Sequence, residues 1–240
     1  SKGMALSPDE SKLYVSNWIT SDISEFDLAT GEKTHSWSVA ATPRGLFTVP
    51  SGQKLLIASF GAGLIEALDL QSQARETIFN SEGAMRHFAY DKQQQLLYVS
   101  DMKNNAIYRA KLPDGKWEFF VRTESHPNTI KLTPDGKILA ISNRGVNGPK
   151  WPGPGATWGA IMLIDTSNGK ILDVIVGGNQ CTGLDISSDG KTLAFSDFND
   201  DRIHLIDLPS YEELLKYNGG RLKSYAKDLK KVTTFNKISR

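Results

Sequence analysis

The chain consists of short apolar runs that alternate with polar residues, and these runs recur at a fixed spacing. Five similar segments follow one another, and their starts are 42, 42, 42 and 54 residues apart. In each segment, a β-rich run of five residues that begins with leucine lies ten residues after the start. This pattern predicts one strand at the same place in every repeat. The repeats start near Gly3, Gly45, His87, Thr129 and Gly183.

A second apolar run follows in each repeat and carries an isoleucine at one constant position: Ile23, Ile65, Ile107, Ile161 and Ile203. Four residues later, the repeats have Asp27, Asp69, Lys111, Asp165 and Asp207. Turn-forming sequences such as Thr133–Gly136 precede the first run, and others such as Ser167–Lys170 follow the aspartate. Each repeat is therefore expected to form four antiparallel strands, with the aspartates accepting hydrogen bonds from turn amides.

A sheet of about 42 residues cannot cover both of its own faces. Stacking such sheets radially covers the faces and protects the sheet edges, which is the arrangement of a β-propeller. The sequence therefore predicts an all-β fold, a β-propeller of four-stranded antiparallel blades.

The repeats resemble those of the YVTN-type β-propellers. The resemblance is carried by Gly3–Asp9 together with Leu13–Asn17, and by Thr133–Lys137 and Ser188–Lys191, within residues 3–209. It implies a propeller that is commonly seven-bladed and a bacterial protein that is periplasmic or secreted. Only five repeats are visible here. Either the chain forms a rare five-bladed ring, or two blades of a seven-bladed ring lie outside these 240 residues.

The C-terminal part departs from the repeat. Ser210 and Glu213 have the spacing of a capping box, which predicts a helix from Tyr211 to about Tyr217. A second amphipathic helix is expected before residue 231. Residues 209–231 are thus interpreted as a helical insertion before a final outer strand, 232–238. The whole chain, 1–240, is interpreted as a single propeller domain.

Composition and charge narrow the possible functions. No apolar stretch approaches the roughly 18 residues of a membrane helix. The single cysteine, Cys181, excludes an internal disulfide, and a net charge of +1 gives no overall attraction to nucleic acid. Residues 211–240 carry a net charge of +5. This region is either a solvated basic surface or a surface for an anionic partner.

In a propeller, the residues just before each repeat face the mouth of the axial channel. Arg44, Arg86, Asn128 and Thr182 hold this position. The residues that close the second strands are expected to approach the same mouth: Asn17, Ser59, Asp101, Asn143 and Asp197. Such a ring either binds a polar ligand or a metal, or only caps strand ends.

The fourth repeat is longer because its second-to-third strand loop, 144–159, has 12 extra residues. Insertions in repeat folds often mark the binding face, and long loops are often functional. The loop carries Arg144, Trp151 and Trp158, which are candidate ligand-binding residues. Alternatively, its tryptophans pack on a neighbouring blade.

Sequence motifs of hydrolases, phosphate-binding loops and haem attachment are absent. The segment His126–Thr129 is similar to gluconolactonase-like propellers, in which an asparagine at this place helps to bind a divalent cation. On this alternative, Asn128 with Asp101 or Asp197 would hold an ion such as calcium, although no matching glutamate is found. We expect a non-enzymatic binding or scaffolding protein without a cofactor, which recognises a protein or a polar small ligand. The alternative is a metal-dependent lactonase.

Overall fold

The computed structural model describes residues 1–149, 153–217 and 225–229. It contains five antiparallel sheets, one for each sequence repeat, and each is a blade whose strands pair in chain order. The predicted all-β propeller architecture is confirmed.

Blade one contains β1 Gly3–Leu6, β2 Lys12–Asn17, β3 Asp22–Asp27 and β4 Lys33–Ser38; blade two contains β5 Pro43–Thr48, β6 Lys54–Ser59, β7 Leu64–Asp69 and β8 Arg75–Asn80. Blade three contains β9 Met85–Asp91, β10 Leu96–Asp101, β11 Ala106–Lys111 and β12 Glu118–Arg122; blade four contains β13 Pro127–Leu132, β14 Ile138–Asn143, β15 Ala160–Asp165 and β16 Ile171–Val176; blade five contains β17 Cys181–Ile186, β18 Thr192–Asp197 and β19 Arg202–Asp207.

The first strands of successive blades lie side by side, β1 next to β5, β5 next to β9, β9 next to β13, and β13 next to β17. These five strands are therefore the inner strands that surround the axial channel. Each runs away from the channel mouth, and the second strand returns to it. The loops between second and third strands consequently lie at the mouth, as expected for this topology.

The turns predicted from the sequence have the expected bonds. The Asp69 carboxylate accepts hydrogen bonds from the amides of Gln71 and Ser72, and Asp27 and Asp165 occupy equivalent turns. The turn between the first two strands of blade four contains Gly136, which has a positive φ of 71° and whose amide donates a hydrogen bond to the Thr133 carbonyl. A backbone in this region favours glycine, because other residues are strained there.

Two short helices follow blade five, α1 Tyr211–Tyr217 and α2 Tyr225–Leu229. The capping box that predicted α1 is present, since the Ser210 amide donates to Glu213 Oε2 and the Glu213 amide donates to Ser210 Oγ. Leu214 packs between blades four and five, and Leu229 packs between blades three and four. The final outer strand predicted for 232–238 lies outside the described residues.

The repeated isoleucine shows how the blades hold together. It is fully buried in four blades, at Ile23, Ile65, Ile107 and Ile161, where it packs on the second strand of the next blade. Ile65, for example, shares a core cluster with Leu97 and Val99 of blade three. Each blade therefore covers its apolar face with the blade that follows it.

Within the described part of the chain, the corresponding apolar face of blade five is not covered by another blade. Ile203 is 76% exposed, and Leu205 on the same face is 72% exposed. The opposite end of the array is also open, because Met4 and Leu6 on β1 are exposed. The described residues thus form an arc of blades with one uncovered apolar face at each end.

The difference between the buried and exposed isoleucines gives a stability prediction. We expect Ile65→Ala to lower the free energy of unfolding by about 2–5 kcal/mol, because it leaves a cavity between two blades. The matched variant Ile203→Ala should cost less than about 1 kcal/mol, since its side chain meets solvent. Denaturant unfolding of both variants checks this, and equal losses would mean that the face of blade five is covered.

Candidate functional site

The channel mouth is built from two side-chain positions that recur in every repeat. The first lies at the start of each inner strand and comprises Lys2, Arg44, Arg86, Asn128 and Thr182. The second directly follows each second strand and comprises Trp18, Phe60, Met102, Arg144 and Phe198. We call these sets the inner ring and the outer ring.

The two rings contact each other across blade boundaries. The guanidinium carbon of Arg44 lies 4.5 Å from the ring centre of Trp18 in blade one and 5.3 Å from that of Phe60 in blade two. Arg86 repeats the arrangement one blade further on, since its guanidinium carbon lies 5.7 Å from Phe60 and its Nη1 donates to Met102 Sδ at 2.8 Å. Each arginine therefore lies between the outer-ring residues of its own blade and the previous blade.

The backbone that carries the inner ring is fixed by serines of the second strands. Ser16 Oγ donates to the Arg44 carbonyl at 2.9 Å, and Ser100 Oγ donates to the Asn128 carbonyl at 2.8 Å. Ser142 Oγ bonds the Thr182 carbonyl in the same way. Each of these bonds joins one blade to the next, so the packing of the blades sets the positions of the inner-ring residues.

Blade two has Ala58 where the other blades have this serine, and its inner strand nevertheless lies close to that of blade three. A Cβ atom on Gly45 would collide with the backbone oxygen of Arg86. Gly3 has the same relation to the backbone oxygen of Arg44, so neighbouring inner strands approach closely both with and without the serine.

Arg86 is buried at the mouth, Arg44 and Arg144 are half-buried, and their charges interact. Burial lowers the pKa of the Arg86 guanidinium, and the positive charges of Arg44 and Arg144 lower it further. The pKa of the Arg44 guanidinium is also lowered, mainly by burial and further by the positive charge of Arg144. None of the ion pairs found among the described residues includes Arg44 or Arg86. The mouth is therefore a concentrated region of positive charge.

A cavity of about 530 Å³ opens beside these groups and is lined by residues of blades one to four, among them Lys2, Arg44, Arg86 and Asn128. Arg144 is part of the same charged region, and its Nη2 donates to Gln180 Oε1. The structure therefore brings together four of the residues selected from the sequence: Arg44, Arg86, Asn128 and Arg144.

Two of the residues that close the second strands, Asp101 and Asp197, are hydrogen-bonded to neighbouring protein groups. The Asp101 carboxylate is fully buried and accepts bonds from Ser81 Oγ, the Ala84 amide and Asn104 Nδ2, at 2.6–2.9 Å. Asp197 is also buried and contacts Cys181 Sγ and His204 Nε2. Asp101 thus braces loop residues at the mouth, whereas Asp197 joins the first and third strands of blade five.

The long loop of blade four is attached to the fold over its described part, 144–149 and 153–159. The Ala156 amide donates to the Val146 carbonyl, and Asn199 Nδ2 donates to the Gly153 carbonyl. Trp158 is 9% exposed and packs in the core between blades three and four, where its amide donates to the Leu229 carbonyl of α2. Its burial favours the alternative that this tryptophan packs on a neighbour. Trp151 lies outside the described residues.

Sequence reasoning missed Lys2 and the aromatic members of the outer ring. Lys2 stands 42 residues before Arg44, and its Nζ lies 6.0 Å from the ring centre of Trp18. Trp18 and Phe60 are also 42 residues apart. The repeat register was therefore the signal that would have identified all three residues.

No group of three or more histidine, cysteine, aspartate and glutamate side chains is placed to hold a metal within the described ranges. Within the same ranges, no helix is long and apolar enough to span a membrane.

The positions of the glycines give a prediction for the architecture of the mouth. Gly45→Ala should lower the free energy of unfolding by about 1–3 kcal/mol, because its Cβ meets a backbone oxygen that cannot move alone. Gly183→Ala, at the same position of blade five, meets only the side chain of Ser196 and should change stability by about 0.5 kcal/mol or less. Thermal or denaturant unfolding distinguishes the two variants, and a neutral Gly45→Ala would contradict the close approach of the strands.

Comparison with known proteins supports the fold. No protein-family model matches the chain. The chain is 34% identical over 214 residues, 85% of its length, to the antigen Lp49 of Leptospira interrogans serogroup Icterohaemorrhagiae serovar copenhageni. It spans 47% of that protein, about half of the relative's length.

Three solved β-propeller structures are similar to the chain. Hydrazine synthase of Kuenenia stuttgartiensis has a TM-score of 0.71 at 20% identity, over 80% of this chain and 54% of that one. A nidogen–laminin complex has a TM-score of 0.68 at 16% identity, over 86% and 75% of the two chains. A putative 6-phosphogluconolactonase of Bacteroides uniformis has a TM-score of 0.68 at 17% identity, over 86% and 66%. At these identities, the likeness establishes the fold, and the chain has the architecture of a β-propeller.

Proposed function

We propose that the protein is a YVTN-type binding propeller that recognises a protein or a polar small ligand through its channel mouth. The observation that carries the proposal is the pair of rings at the mouth. There, the buried Arg86 and the half-buried Arg44 lie over aromatic side chains of adjacent blades, and no described acidic residue forms an ion pair with either arginine. Burying a charge is costly unless a partner compensates it, so such a group is commonly retained for binding.

The relatives are consistent with this role. The relative from Leptospira is named as an antigen, and a nidogen–laminin complex shares the fold. An antigen is met by the immune system of a host, which supports a location outside the bacterial cytoplasm. The YVTN-type repeat, with its invariant isoleucine, supports the same assignment.

The two open end faces support a proposal on domain organisation. We propose that further blades of the same repeat complete the ring, because Ile203 occupies the position that is buried by the next blade in every other repeat. Residues 1–240 are then most of one propeller domain. The anionic partner suggested for residues 211–240 stays a proposal, since much of that segment lies outside the described residues.

A binding test with matched variants addresses the role of the mouth. Panels of polar metabolites and of candidate proteins are titrated against the unmodified protein, Arg44→Gln, and Lys191→Gln. Lys191 lies on a turn at the opposite end of the channel. We expect binding that is weakened about tenfold or more by Arg44→Gln and unchanged by Lys191→Gln, because a charge-assisted hydrogen bond is lost only in the first. If Arg44→Gln leaves the affinity of a ligand unchanged and Lys191→Gln abolishes its binding, the binding surface does not lie at the channel mouth.

The proposal also predicts the outcome of a lactonase assay. Asp101 and Asp197, the carboxylates of the metal-dependent alternative, already accept hydrogen bonds from neighbouring residues. We therefore expect no chelator-sensitive hydrolysis of simple lactones with calcium or other divalent cations. Turnover that is abolished by a chelator and by Asn128→Ala would establish the lactonase alternative instead.

A further inference from the structure

The guanidinium groups of Arg44 and Arg86 are packed against neighbouring side chains at the channel mouth. Arg86 is 7% exposed, and the side chain of Arg44 contacts two aromatic rings. Stacking on an aromatic ring restricts the plane of a guanidinium and leaves the N–H groups at its edge available. Such groups are preorganised, because little conformational entropy is lost when they bind a ligand.

The hydrogen-bonding capacity of these groups is not used up by the described residues. Arg44 Nε is buried and has no hydrogen-bond partner among them. The only partner found there for a guanidinium nitrogen of Arg86 is a thioether sulfur, Met102 Sδ, which is a weak acceptor. Among the described residues, neither cation therefore has an oxygen acceptor, although polar groups removed from solvent are usually hydrogen-bonded.

The neighbouring groups extend this charged and donor-rich surface. Lys2 and Asn128 line the same cavity as the two arginines, and Arg144 is near enough to repel Arg44. The cavity volume, about 530 Å³, is in the range of small-ligand sites. An anion in this cavity would relieve the repulsion among the cations and accept their hydrogen bonds.

We propose that the cavity between Lys2, Arg44, Arg86 and Asn128 binds the oxyanion group, a phosphate or a carboxylate, of a small polar ligand. This inference rests on the proposed role of the channel mouth and names the chemical class of its ligand. Planar guanidinium groups match both oxyanions because each offers two parallel N–H donors. Asn128 and Lys2 add single donors from the adjoining blades.

The test measures the binding of inorganic phosphate and of acetate by calorimetry, with sodium chloride replacing each anion in the reference at constant ionic strength. We expect phosphate or acetate to bind the unmodified protein, and the tighter of the two identifies the source of the oxyanion. Arg44→Gln and Arg86→Gln should each weaken this binding roughly tenfold or more. Arg86→Lys keeps the charge without the two parallel donors, and we expect it to weaken binding as well.

Arg109→Gln is the matched control. Arg109 also stacks on an aromatic ring, 4.4 Å from the centre of Phe120, but its Nε donates to Glu118 at 2.8 Å. Its removal should change anion affinity less than twofold. If Arg86→Gln does not fold, Arg44→Gln and Arg86→Lys provide the same comparison.

Two results would overturn the inference. One is that neither anion binds the unmodified protein more tightly than chloride does. The other is that the affinity is the same in the arginine variants as in Arg109→Gln, which would indicate a general effect of salt. If no anion binds but Arg44→Gln still abolishes the binding of a ligand identified at the mouth, the proposed function stands and only the oxyanion assignment fails.

Discussion

The structure depends on one packing constraint, which is that each four-stranded sheet can cover its apolar face only with the next sheet. The residues responsible are an isoleucine on the third strand and, in four of the five blades, a serine opposite it on the second strand. Ile23 of blade one packs on Leu55 and Ile57 of blade two. Ser16, also in blade one, donates a hydrogen bond to the Arg44 carbonyl of blade two. One face thus supplies both the apolar contact and the hydrogen bond that fix the position of the next blade.

This constraint also creates the candidate site. The inner strands lie side by side, and serines of three second strands bond the inner-strand carbonyls of Arg44, Asn128 and Thr182 in the next blade. The inner-ring side chains therefore meet at the channel mouth. Arg44 and Arg86 consequently lie against side chains that belong to two blades. Burial lowers the pKa of Arg86, and the positive charge of Arg44 lowers it further. The electrostatic character of the mouth follows from blade packing and from which side chains occupy the inner ring.

The amino-acid sequence was sufficient to predict the structural features that recur in every repeat and those that depend on residues close together in the chain. The repeat register predicted the strands, the turn aspartates and the radial arrangement, and the pair Ser210 and Glu213 predicted α1. Trp18 and Phe60 share one position of the repeat and were overlooked, although the register marks them as equivalent. Their contact with Arg44 and Arg86 depends on how closely two blades approach, which the register does not show. The burial of Trp158 was open to two interpretations for the same reason, since α2 covers it from a distant part of the chain.

The most direct test of this account is to locate an anion by anomalous diffraction. Crystals of the protein would be soaked in tungstate, an oxyanion whose metal scatters anomalously, and the strongest peak would be compared with the positions of the side chains. The account predicts a peak within hydrogen-bonding distance of the Arg44 and Arg86 guanidinium groups, in the cavity that Lys2 and Asn128 also line. No peak at the mouth, together with a protein carboxylate paired to both guanidinium groups, would contradict it.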